Sequence, residues 1–202
     1  MLILIFLFMV STQPAEGEIP ISVAEPDVNI MEEDLEYIGN ICSLACATWW
    51  SVEASSELTP QSGNSYEAEM LNDGDIYTAW IEGIDGTGEG EKILFIIENY
   101  MNEEGDLVSR SYPMWGMMIL NGYRKSPELW QANGRVRSAF VSVNSDPVCI
   151  IELLDIMDPQ FVSIPETPVF HGDTVSISII DTYAGDTWED TAITELILMG
   201  AH

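Results

Sequence analysis

The chain has 202 residues, 47% of them apolar, which is enough for one domain of ordinary size plus a tail and enough to build a core. Six Lys and Arg stand against 34 Asp and Glu, for a net charge of -28, so the surface repels phosphate backbones and anionic lipid at long range and nucleic acid is excluded as a natural partner. Acidity of this kind is in itself the ordinary solvated surface of secreted and salt-adapted proteins.

In chain order, the opening run MLILIFLFMV is shorter than the roughly 20 apolar residues a membrane-spanning helix needs, and Ser-Thr-Gln-Pro-Ala follows it. This outlines a secretory signal over residues 1–15 and predicts a secreted or cell-envelope protein whose mature domain does not insert into a membrane. The outline is imperfect: no cation precedes the run, and Gln13 with Ala15 makes a poor cleavage site, so a retained anchor is the alternative. Residues 16–45 read as an acidic, proline-containing linker with a helical turn near 32–38. Cys42, Cys46 and Cys149 allow at most one intrachain disulfide, and with only His171 and His202 available a zinc site is poorly supported.

From residue 46 to 202 the pattern changes to short Val-, Ile-, Phe- and Trp-rich runs between Gly, Pro, Asn and Asp. Strands are expected at 48–54, 92–98, 114–120, 136–143, 148–154, 160–164, 174–181 and 192–199. The clearest alternation is VSISIID, with Val175, Ile177 and Ile179 on one face. A helical turn is expected at 66–71, and 101–109 reads as a polar hairpin excursion. Eight strands without a helix of amphipathic length define an all-β sandwich.

Two loop stretches hold the chemistry. In 71–91, Asn72-Asp73-Gly74-Asp75 followed by Thr78 sets hard oxygen donors on a tight turn; these suit calcium, but spacing alone favours an Asp-Gly turn capped by its own side chains. Gly83, Gly86, Gly88 and Gly90 do not form a dinucleotide fingerprint, since no helix follows and Asp85, Glu89 and Glu91 would repel a phosphate. In 121–137, Asn121, Tyr123, Arg124, Lys125, Trp130, Asn133, Arg135 and Arg137 gather rings, amides and four of the six cations into seventeen residues. A ring beside amides and cations suits a pyranose, whose apolar face stacks while its hydroxyls are hydrogen-bonded. The same residues also serve to lock loops together.

The ordered set 54–58 (ASSEL), Asp73-Gly74-Asp75 to Thr78-Ala79-Trp80, Glu82-Gly83, 88–91 (GEGE), 121–126 (NGYRKS), 133–136 (NGRV), Tyr183-Ala184-Gly185, Asp190 and Thr194-Glu195-Leu196 resembles the discoidin-like, coagulation factor 5/8 type C jelly roll found ahead of streptococcal NAD glycohydrolase, the NADase-type glycan-binding domain. The resemblance runs from about residue 47 to 199. It implies an eight-stranded, galactose-binding-like jelly roll that binds carbohydrate through loops at one end, takes part in attachment or translocation, and carries no catalysis. It further implies a structural calcium ion on Asp73 or Asp75, Thr78 and Glu195, and glycan contacts from Trp80, Glu82, Asn121, Tyr123, Lys125, Asn133 and Arg135, with Tyr183 and Asp190 as outer contacts. Asp186 and the acidic 99–110 insertion depart from the family pattern. With nothing following His202, NAD hydrolysis is not expected of this chain.

Two other functions compete. The same loops would serve a protein-protein interaction or adhesion module. A glycoside hydrolase would need a carboxylate pair, such as Glu82 and Asp190, across a deep cleft.

Overall fold

A computed structural model describes residues 18–27, 30, 35, 38 and 43–200. Its strands are β1 (Ile21–Val23), β2 (Glu25–Pro26), β3 (Trp50–Ala54), β4 (Trp80–Ile81), β5 (Lys92–Ile97), β6 (Tyr100–Met101), β7 (Leu107–Val108), β8 (Ser111–Asn121), β9 (Gly134–Val143), β10 (Asp146–Glu152), β11 (Gln160–Phe170), β12 (Thr174–Tyr183) and β13 (Thr191–Gly200), with one α-helix, α1 (Pro127–Ala132). The expected helical turn is a 3-10 turn at Ala68–Asn72.

Hydrogen bonding orders the strands β2-β11-β8-β13-β9-β12-β5-β3, with β4 on β13, β10 on β9 and β1 on β10. Between β13 and β9 the contact is only a short parallel step, Thr191 against Gly134 and Ala192 against Arg135. There the sheet folds over, so β2-β11-β8-β13 faces β10-β9-β12-β5-β3 as an all-β sandwich. Inward residues of both layers, among them Met114, Met117 and Ile119 of β8 and Val175, Ile177 and Ile179 of β12, form one core. The alternation read in VSISIID is therefore the pleat of β12, where every second side chain leaves water.

All eight expected strands are present, and β11 is longer than expected. Pro165 argues for a strand end at Ile164, because proline cannot donate to the ladder. The strand instead shifts register between Ser163 and Thr167, absorbs the proline in that irregularity, and pairs on to Phe170. The 101–109 excursion is a separate two-stranded hairpin, β6 with β7.

The stretch whose composition reads as linker carries structure. Ile21–Val23 pairs in parallel with Ile150–Glu152, and Glu25–Pro26 pairs with β11. Leu35 and Ile38 are buried with Met118, Leu120 and Ile197 on the outer face of the β8 layer. Residues 1–17, Cys42 and His202 lie outside the described residues, and with them the signal segment and any pairing of Cys42. Cys46 and Cys149 are free thiols. Cys149 is fully buried, and that burial pushes its thiol up to about 11. Among the described residues, no helix is long and apolar enough to cross a membrane.

Candidate functional site

One pole of the sandwich is built where β8 ends and β9 and β13 begin. Gly122 turns the chain out of β8 with φ +81°, and a Cβ there would stand 2.7 Å from the Trp130 ring, so glycine is required twice over. Helix α1 follows. Ser126 caps it by accepting the Leu129 N–H at 3.2 Å, and Pro127 stands in its first turn. The helix seats Leu129 and Trp130 against the pole, and the Trp130 indole donates to the Asn121 carbonyl at 2.8 Å.

Beside α1 lies a hollow of about 260 Å³, lined by Leu58, Gln61, Ser62, Asn64, Tyr66, Ile81, Tyr123, Lys125, Leu129, Asn133, Trp188 and Asp190. Its floor is apolar: Tyr66 and Tyr123 meet edge to face at 6.1 Å between ring centroids. Burial, with Tyr66 adding to it, holds the Tyr123 hydroxyl above its ordinary pKa. Trp188 stands at the rim, 45% exposed. The Lys125 ammonium donates to Asn64 Oδ1, and Asn133 Nδ2 donates to the Leu129 carbonyl at 2.8 Å. Burial and the neighbouring Glu189 raise the Asp190 pKa.

Tyr123, Lys125, Asn133 and Asp190 are thus brought together from the expected contacts. The others do something else. Trp80 was expected to stack on a sugar, but it pairs with Ile193 inside the fold, is fully buried, and donates its indole N–H to the Ser56 carbonyl at 3.0 Å. Glu82 is fully buried and accepts the N–H groups of Ile84 and Thr191 at 2.8 and 3.2 Å, locking two loops. Burial raises its pKa despite those bonds. Asn121 clasps the backbone of Val136 in both directions, at 2.7 and 3.0 Å.

Arg135 is a staple. Its guanidinium, stacked 4.5 Å from the Trp130 ring, pairs with Asp155 at 2.7 Å and donates to the carbonyls of Trp130, Asn133 and Ala184. Tyr183 donates its hydroxyl to the Leu153 carbonyl at 2.9 Å and faces a different side of the domain, beside Arg137. Sequence reading missed Trp188, Tyr66 and Asn64. The only available signal for Trp188 was an aromatic residue between Asp186 and Asp190 in a strandless stretch.

The Asp-Gly turn is capped by its own groups. Asp73 accepts the Asp75 N–H at 2.8 Å and the Thr78 hydroxyl at 2.9 Å, and Asp75 accepts the Tyr77 N–H at 2.9 Å. Behind it lies Glu195, 1% exposed, whose Oε1 accepts the Gly74 N–H at 2.7 Å while Oε2 is buried without a partner. Burial, and then the charge of Asp73, push its carboxyl up to about 9. Among the described residues, no three His, Cys, Asp or Glu side chains form a ligand set by themselves.

A β-sandwich with a small ring-lined hollow between the loops of one pole has the architecture of galactose-binding-like domains. The profile of the NAD glycohydrolase translocation F5/8 type C domain matches residues 45–199, and the chain belongs to that family. No curated protein matches the sequence. Among solved structures, it is similar to CBM32-5 of CpGH89 from Clostridium perfringens, in complex with GalNAc-β-1,3-galactose, at 16% identity, 74% of this chain, 94% of that chain and a TM-score of 0.53. It is similar to a putative chitobiase fragment from Bacteroides thetaiotaomicron at 18% identity, 76% and 89% coverage and a TM-score of 0.55. The CBM32-1 and CBM32-2 pair of Clostridium perfringens ZmpB matches at 11% identity and a TM-score of 0.58, covering 93% of this chain and 42% of that one. At these identities the likeness establishes the discoidin-like fold.

Proposed function

We propose that the chain is an exported, non-catalytic carbohydrate-binding module that holds a sugar in the hollow beside α1. The observation that carries this reading is the convergence of Trp188, Tyr123, Lys125, Asn133 and Asp190 on one small cavity of an otherwise acidic, strand-built surface. A volume of about 260 Å³ is below the range of drug-sized pockets and suits one or two sugar rings. Trp188 offers the ring face for stacking, Asp190 accepts sugar hydroxyls, and Lys125 and Asn133 complete the polar ring. Two similar structures carry sugar-binding modules, one with GalNAc-β-1,3-galactose and one with GalNAc, which supports a glycan as the ligand class. Export rests on the apolar opening run of the sequence.

The arrangement of carboxylates supports the non-catalytic reading. Asp190 lines the hollow, whereas Glu82, the other carboxylate of that pair, is buried against Gly88 and accepts a backbone N–H on each oxygen. We further propose a structural calcium ion behind the Asp-Gly turn. What supports it is Glu195, buried beside Asp73 with Oε2 free of any hydrogen bond; on losing its proton to the metal it would join Asp73, Asp75, Thr78 and backbone carbonyls in an oxygen shell. Calcium would neutralise those carboxylates and brace the loop below the hollow.

A glycan array tests the function. The wild-type domain should retain a defined set of sugars, and Trp188→Ala should lose them with its melting temperature unchanged. An array empty for wild type, or retention by the variant, contradicts the reading.

A further inference from the structure

At the opposite pole, β6 and β7 form a hairpin outside the sandwich. β8 runs from one pole at Ser111 to the other at Asn121, so hairpin and hollow stand roughly 30 Å apart. Two strands alone are marginal in water. This pair is held at its root by His171, whose Nδ1 donates to the Glu98 carbonyl at 2.7 Å and whose Nε2 meets the Tyr112 hydroxyl at 3.1 Å. The Tyr100 ring leans on that imidazole at 6.0 Å. At the tip, Asn102 Oδ1 accepts the N–H groups of Glu104 and Asp106 at 3.0 and 2.8 Å, and Asn102 N–H donates to the Asp106 carbonyl at 3.0 Å. The hairpin is therefore built to hold a shape.

What that shape presents is apolar. Tyr100, half-exposed with its ring against His171, pairs with Val108, and the next pair along the hairpin, Met101 with Leu107, is 61% and 66% exposed. A cross-strand apolar pair left in water and propped from behind marks a contact surface. Three exposed carboxylates, Glu103, Glu104 and Asp106, crown it. Their charge decides the occupant. An anionic membrane and a second copy of this chain, itself at -28, are both repelled, whereas a basic protein surface is attracted.

We propose that the β6–β7 hairpin docks onto a partner protein through an apolar groove rimmed by lysine and arginine, with Met101 and Leu107 entering the groove and the tip carboxylates meeting its rim. One pole then holds a sugar while the other holds a protein, without competition between them.

The probe is an amphipathic helical peptide of leucine and lysine, with its leucine-glutamate counterpart as control, titrated against wild type, Met101→Ser/Leu107→Ser and Glu103→Gln/Glu104→Gln/Asp106→Asn. The proposal expects the basic peptide alone to bind, each variant to weaken it by about tenfold, and each variant to keep its melting temperature and its glycan-array profile. Absence of peptide binding overturns the proposal, as does equal binding by wild type and variants, which would be generic attraction to an acidic chain. Binding to phosphatidylcholine vesicles that Met101→Ser/Leu107→Ser abolishes would assign the pair to a membrane instead. Self-association abolished by the same variant would assign it to a second copy. Either result overturns the proposal.

Discussion

Replacing Arg135 by Met distinguishes a staple from a ligand contact. The guanidinium is buried and ties β9 to α1 and to the loop after β12 through the carbonyls of Trp130, Asn133 and Ala184. Its ion pair with Asp155 is worth at most about 1 kcal/mol, because that carboxylate side chain is 41% exposed. The carbonyls matter more: each loses a charged donor, at about 1 kcal/mol apiece where water does not replace it. The sum is about 3–4 kcal/mol. For a domain of this size, that lowers the melting temperature by roughly 10 °C. Thermal unfolding followed by circular dichroism measures the shift, and sugar binding is then measured well below the transition. Arg135→Met should be clearly less stable and, while folded, bind sugar within about threefold of wild type. Unchanged melting with sugar binding lost would refute the reasoning and put Arg135 in contact with ligand.

Within the hollow, Trp188→Ala should weaken sugar binding about tenfold, and Tyr123→Phe, which deletes only a hydroxyl, about fivefold, both titrated by calorimetry with melting unaltered. A metal ion that binds only the native state must stabilise it, so chelator should lower the wild-type melting temperature, calcium should restore it, and Glu195→Gln should show neither response. The Asp190 carboxylate is the form that accepts two sugar hydroxyls, and its folded pKa is raised. Sugar affinity should therefore fall as pH drops through a value above the ordinary 3.8, and Asp190→Asn should flatten that profile. The matching stability effect has the opposite sense: the fold holds this proton more tightly than the unfolded chain does, so the contribution is present below the ordinary pKa and fades as pH rises through the folded one.

The sandwich was legible because burial on one face imprints a period of two on a strand, as in Val175, Ile177 and Ile179. β1 and β2 escaped notice because two or three residues show no period, and a parallel partner more than a hundred residues away leaves no local mark. Helix α1, six residues long, is too short for a helical stripe, although Ser126-Pro127 is a legible start. At the site, composition identified the right loops and misjudged individual residues. A cation beside a ring reads the same whether it stacks under a loop, as Arg135 does on Trp130, or faces solvent, as Lys125 does. Burial separates the two, and burial of a loop residue is decided by tertiary packing. Trp80 illustrates this: two residues of pairing to β13 draw it wholly inside.

The central claim is that sugar enters the hollow beside α1. It is tested most directly by following the indole N–H resonances of ¹⁵N-labelled protein during titration with a glycan retained on the array. The Trp188 signal should move, while Trp80, whose indole is hydrogen-bonded to Ser56 in the core, stays in place. A silent Trp188 with movement at the exposed Trp49 or at Trp115 would place the sugar elsewhere and contradict the account.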